Sequence, residues 1–116
     1  ALVDPELTVS CPPRVTAASG MDAWVQAVEA FTSRGASTLT DALSLQAAVL
    51  AWRHLPRAVS EPGHREAREG MALAATMAGM ALNTSRLGLV HGLAHPVGAI
   101  TGAAHGTLCG TLMPPV

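Results

Sequence analysis

From Arg14 onward, apolar residues recur at three- and four-residue intervals, the pattern of helices that bury one face. Val15, Ala18, Met21, Val25, Val28 and Phe31 mark a first helix over 14–34, which should stop at Arg34-Gly35, where glycine favours termination. A second helix is predicted over 38–59, with Leu43, Leu45, Ala47, Leu50, Ala51 and Leu55 on its apolar face. Pro56 lies inside it and should kink or weaken it. Ser60-Glu61-Pro62-Gly63 reads as a linker. The third helix, over 64–83, opens with Arg65, Glu66, Arg68 and Glu69. It then turns small and apolar, and Gly70, Ala74, Ala75, Ala78 and Gly79 would let another helix come close. A fourth helix spans 87–100, and a last helical piece runs from His105 to Met113-Pro114-Pro115 after a break at Thr101-Gly102. Residues 1–13 differ. Asp4-Pro5 and Cys11-Pro12-Pro13 hold the chain in non-helical conformations, and Leu7, Val9 and Cys11 alternate with polar residues as a weak strand would. The fold class is all-α: a small bundle of about five helices in one domain over 1–116, with 1–13 extended.

Composition changes this picture in one respect. Apolar residues make up 49% of the 116 and charged residues only 13%, against roughly a quarter charged in an average domain. Apolar surface should therefore remain after folding, to be covered by a second copy of the chain or a second domain; a homo-oligomer, a dimer, is expected. The net charge is −1 and every basic residue is an arginine. These are scattered, with almost no aromatics to stack bases, so nucleic-acid binding has no support. No charge-free run approaches the ~18 residues of a membrane span, and no secretion signal is present. Cys11 and Cys109 make no disulfide framework. The expected setting is cytoplasmic, with reduced thiols, which makes Asn83-Thr84-Ser85 a chance match to a glycosylation acceptor.

Two segments concentrate the chemistry. Gly20-Met21-Asp22-Ala23-Trp24-Val25-Gln26 offers Asp22 and Gln26 four apart, and Leu89-Val90-His91-Gly92-Leu93-Ala94-His95 offers two histidines at the same spacing. Each pair shares one helix face. With His105, they suggest a divalent metal site. Its ligands would be Asp22, His91 and His105, since imidazole suits Zn, Fe, Cu and Ni and a carboxylate extends the choice to harder ions. Taken singly, each is also compatible with a polar residue at a helix surface. His95 is a further ligand, a general base beside the metal, or a residue that lines the pocket. Gln26 is a weak ligand or a hydrogen-bond partner of metal-bound water. Glu29 favours a solvated or salt-bridged role. Cys109, four after His105, is a minor candidate for a thiolate ligand. His54 and His64 read as surface residues, Met71, Met77 and Met80 as core or interface, and Trp24 as core or pocket wall.

The order of these residues resembles a known family. Pro12-Pro13-Arg14-Val15-Thr16-Ala17-Ala18-Ser19-Gly20-Met21-Asp22-Ala23 is similar to the entry into the metal-binding helical domain of iron-containing (group III) alcohol dehydrogenases, a dehydroquinate-synthase-like domain. Leu39-Thr40-Asp41-Ala42-Leu43, Leu55-Pro56-Arg57-Ala58-Val59 and Ala78-Gly79-Met80-Ala81-Leu82-Asn83 continue the likeness. Gly88-Leu89-Val90-His91-Gly92-Leu93-Ala94-His95-Pro96-Val97-Gly98, His105-Gly106 and Leu112-Met113-Pro114 complete it. The resemblance covers essentially the whole chain. It implies an Asp and three His that bind Fe or Zn and polarise an alcohol or aldehyde oxygen. Asp22, His91 and His105 match three of these ligands, and Gln26 stands where the remaining histidine falls. His95 matches the histidine near nicotinamide and substrate, which is not a ligand.

No glycine-rich phosphate loop of the Gly-x-Gly-x-x-Gly kind occurs, so no NAD is expected on this chain, and the chain reads as the middle third of a dehydrogenase standing alone. The function expected on that basis is a metal-dependent hydrolase of the phosphotriesterase type. A Zn, Fe or Mn ion would activate water against small neutral esters, with His95 as base or proton shuttle. Two alternatives remain: a dehydrogenase piece that binds metal without catalysis, and a helical association module. A helix swapped between protomers would bring ligands from two chains.

Overall fold

The computed structural model describes residues 2–114. Its five helices are α1 (Pro13–Thr32), α2 (Thr38–Ser60), α3 (Arg65–Ser85), α4 (Leu89–Thr101) and α5 (His105–Leu112), with no strand among the described residues. The predicted bounds hold to within two residues. The last predicted stop includes Pro115, which lies outside the described residues, as do Ala1 and Val116. The N-terminal segment departs from expectation: Pro5–Thr8 forms a 3-10 turn rather than an extended strand. Asp4 accepts a hydrogen bond from the Glu6 amide at 3.0 Å, and Pro5 supplies the helical φ at the first position, so local capping outweighs the weak alternation.

Local chemistry sets the other boundaries. Pro13 opens α1, where its missing N–H costs nothing. Ser37 and Thr40 cap α2 reciprocally, each side-chain oxygen accepting from the other's backbone amide. Helix α2 continues past Pro56 to Ser60. His64 caps α3 through Nδ1, which accepts from Ala67 N–H at 3.2 Å, so this residue is structural. Gly102, at φ 68°, ends α4 in the left-handed conformation that glycine adopts freely.

Helix α1 is the central element, packed against α2, α3 and α5. That position explains why its buried residues are Ala23, Val25, Ala27 and Ala30, while Val15 and Phe31, expected on the inner face, are exposed. Between α1, α2 and α3 the core is built from small residues, with Ala27, Ala47 and Ala78 at its centre. Two polar residues also cross this region. Arg68 is buried, donating from a terminal guanidinium nitrogen to Thr16 Oγ1 at 2.9 Å and from Nε to the Pro62 carbonyl at 2.9 Å. His54 is half-buried over Gly70, where a Cβ would overlap its ring, and is no surface residue. The second core joins α1 to α4 and α5 through Val25, Val90, Ala94 and Cys109. Large apolar side chains stay exposed, among them Leu39, Trp52 and Ile100.

Candidate metal centre

Three helices deliver the site, and glycines set how close they come. A Cβ at Gly106 would overlap the carbonyl oxygen of Ala18, so α5 lies directly on the α1 backbone one turn before Asp22. A Cβ at Gly88 would stand 2.6 Å from Glu29 Oε1, so the start of α4 closes onto that carboxylate. The fully buried α4 residue Val90 and its neighbour His91 both donate backbone N–H groups to Glu29, at 2.7 and 3.3 Å. A carboxylate at a helix N-terminus is favoured by the helix dipole and by the otherwise unpaired amides.

Glu29 also fixes the His91 ring. Nδ1 lies 2.6 Å from Glu29 Oε2, so Nδ1–H donates to the carboxylate and the Nε2 lone pair faces the other way. There it meets Asp22 Oδ1 at 3.1 Å. His105 Nε2 comes within 3.4 Å of the same oxygen. Cys109 Sγ lies 3.5 Å from His105 Nε2 and 3.8 Å from His91 Nε2. The four donor atoms of Asp22, His91, His105 and Cys109 all lie within 4.8 Å of one another. Lone pairs converging at these distances need a proton or a cation between them, and a carboxylate, two imidazoles and a thiol so close together are a donor set that fits a divalent metal.

The three expected ligands therefore converge, and all come from one chain without exchange of helices. Gln26 is turned onto Asp22, its Nε2 donating to Oδ2, the carboxylate oxygen away from the histidines, at 2.9 Å. His95 stands outside the cluster. Its Nδ1 donates to the His91 carbonyl at 2.7 Å, and its ring centroid is 4.9 Å from that of His105. Two residues gained importance over the sequence reading. Glu29 is buried behind His91 rather than solvated, and Cys109, a minor candidate, is fully buried among the donors. Burial pushes the Cys109 thiol up to about 12, helped by the negative charge of Asp22, its hydrogen bond to Asp22, and the charge of Glu29. An open groove of about 780 Å³ runs between α1 and the α4–α5 turn, with Arg14, Ala18, Gly102 and His105 on its walls.

An all-helical domain with a carboxylate, two imidazoles and a thiol gathered at one end has the make-up of a metal-binding helical domain. The model of the Fe-containing alcohol dehydrogenase family, C-terminal, matches residues 16–116, and the chain belongs to that family. It is 47% identical to an NAD-dependent methanol dehydrogenase of Bacillus methanolicus over 116 residues, which are 100% of this chain and 30% of that protein. A solved 1,3-propanediol oxidoreductase superposes with a TM-score of 0.94 at 44% identity, covering 96% of this chain and 29% of that one. A sulfoacetaldehyde reductase from Bifidobacterium kashiwanohense, solved with NAD+, gives a TM-score of 0.90 at 43% identity, with coverages of 92% and 28%. The chain thus spans less than a third of the length of these relatives. The hydrolase expectation is overturned. Family and relatives are alcohol dehydrogenases, which are oxidoreductases, and nothing among them supports phosphotriester or other ester hydrolysis. That expectation treated a missing phosphate loop as grounds for new chemistry, whereas the relatives carry twice as much sequence again beyond the shared stretch. No helix of the described residues is long and apolar enough to cross a membrane.

Proposed function

We propose that this chain is the metal-holding part of an alcohol dehydrogenase that interconverts a small primary alcohol and its aldehyde with a nicotinamide cofactor. The observation that carries the reading is the approach of His91 Nε2 and His105 Nε2 to within 3.1 and 3.4 Å of Asp22 Oδ1, in a chain of this family. A divalent ion held there supplies Lewis-acid polarisation of the substrate oxygen. The chain's own residues do the rest. Asp22 contributes the negative charge, Glu29 holds His91 in the tautomer that offers Nε2, and Gln26 restrains the second Asp22 oxygen. His95, exposed and with Nδ1 occupied by the His91 carbonyl, keeps Nε2 free to take or return a substrate proton. The nicotinamide is bound, in this reading, by sequence that the relatives have beyond the stretch they share with this chain. The homodimer expected from composition belongs to the same proposal, with Leu39, Trp52 and Ile100 among the side chains to be covered.

The test is a chimaera in which this chain replaces the equivalent stretch of the 1,3-propanediol dehydrogenase of Klebsiella pneumoniae, 44% identical over 113 residues. NADH formation from a primary alcohol should be lost on chelation, restored by a divalent ion, and abolished by Asp22→Ala. A folded, metal-loaded chimaera that forms no NADH contradicts the proposal.

A further inference from the structure

The structure assigns Cys109 as the fourth donor of the metal centre, making it an Asp22, His91, His105 and Cys109 site that takes a thiophilic ion of the zinc class. This rests on the metal centre of the proposed function and specifies its chemistry. Bonds of about 2.0–2.1 Å from nitrogen or oxygen and about 2.3 Å from sulfur around a tetrahedral ion place donors roughly 3.3 Å apart, or roughly 3.6 Å where one is sulfur. The observed nitrogen–oxygen separations are 3.1 and 3.4 Å, and the sulfur–nitrogen separations are 3.5 and 3.8 Å. These four of the six donor pairs agree with that shell to about 0.3 Å, and the whole set lies within 4.8 Å, so the remaining pairs close up when an ion binds.

The competing residues stand apart from the cluster. Gln26 turns its amide N–H, which cannot ligate, onto Asp22 Oδ2, and His95, with Nδ1 held by the His91 carbonyl, is not among the atoms gathered with Asp22. Cys109, on the same face of α5 as His105 and fully buried, is directed at both imidazoles. Binding would replace the thiol proton with the ion and release that proton to solvent. Thiolate is a soft ligand, which shifts preference toward zinc and away from manganese and other ions that favour oxygen. The ordinary role for a buried cysteine is a small apolar side chain, and Cys109 does pack with Val25, Val90 and Ala94. The two roles differ in a measurable way.

The experiment is titration of the metal-free protein with Co(II), followed by absorption spectroscopy. The expected result is one ion per chain with intense tetrahedral ligand-field bands and a thiolate-to-cobalt charge-transfer band. Cys109→Ser should lose the charge-transfer band and bind at least ~10-fold more weakly, since even partners outside the coordination shell are worth that much. Cys109→Ala, which suits an apolar site, guards against misfolding of the serine variant, and circular dichroism reports the fold of both. Gln26→Ala should keep the band. Stoichiometric binding that needs Asp22 and His91, with no charge-transfer band and no effect of Cys109→Ala, overturns the cysteine assignment and leaves the proposed function standing. No binding at all overturns both.

Discussion

The two ends of this bundle are built on opposite principles. Where α1, α2 and α3 meet, alanine and glycine bring backbones together, and Ala27, Ala47 and Ala78 form a core with almost no chemistry in it. Where α1, α4 and α5 meet, the same close approach gathers two carboxylates, two imidazoles and a thiol. Close packing thus does two jobs. At the first end it replaces large side chains as the source of cohesion. At the second it sets the separations of polar atoms, so a glycine there governs the site as well as stability.

Paired glycine substitutions test that distinction with the largest expected effect. Gly106→Ala pushes a methyl into the Ala18 carbonyl, backbone against backbone, and should destabilise by about 3 kcal/mol, the upper range for overpacking. It should also displace His105 and Cys109 and abolish metal binding. The atoms nearest a Gly70→Ala methyl belong to the His54 ring, a side chain that can give way where a backbone cannot. We expect a loss near 1 kcal/mol with metal affinity unchanged. Thermal denaturation and metal titration on both variants separate the outcomes; equal effects on metal binding would dissolve the contrast.

Glu29→Gln acts within the polar end alone. It retains the shape of the side chain but removes the charge that orients His91 and caps α4. Metal affinity should fall about 10–100-fold, the usual cost of losing a partner behind a histidine ligand, and isothermal titration would read it.

A smaller effect of opposite sign is expected at the hinge between the two ends. Arg86 adopts φ 69° and ψ −171°, a region natural only to glycine. Arg86→Gly should raise stability by about 1 kcal/mol in denaturant unfolding, relief of strain outweighing the added freedom of the unfolded chain.

How well the sequence could be read also divides along this line. Helix bounds followed from periodicity and from the breaks at Gly35 and Gly102. The resemblance pointed to Asp22, His91 and His105 together. Cys109 and His95 carried the same signal, each four residues beyond a ligand, and spacing alone could not rank them. What ranks them is the crossing of α5 over Ala18, which turns Cys109 inward, whereas the helix face of His95 continues toward solvent. Glu29, seven after Asp22 and so on its face, was equally visible as a position. Its role depended on Gly88 and on where α4 begins, which no local pattern encodes. Arg68 was visible only as part of the charged opening of α3, and its partner Thr16 comes from another helix, where no local pattern shows it.

A last difference concerns thiol reactivity. Thiolate is the reactive form, and Cys109 is raised from 9.0 to about 12. At pH 9 the metal-free protein should be alkylated there several hundredfold more slowly than at an ordinary thiol, roughly the ratio of ionised fractions. The raised value also fixes a sign for stability. Below pH 9 both folded and unfolded states hold the proton; from 9 toward 12 the unfolded chain releases it first, so the metal-free fold loses stability over that window. Mass spectrometry of alkylated protein, and unfolding of wild type against Cys109→Ala at pH 8 and 10.5, would check both.

The most direct test of the central claim is anomalous diffraction at the zinc edge from crystals grown with zinc. The account predicts one peak per chain, within about 2.0–2.3 Å of Asp22 Oδ1, His91 Nε2 and His105 Nε2. Anomalous density elsewhere, or none at these three atoms in a zinc-loaded crystal, would contradict it.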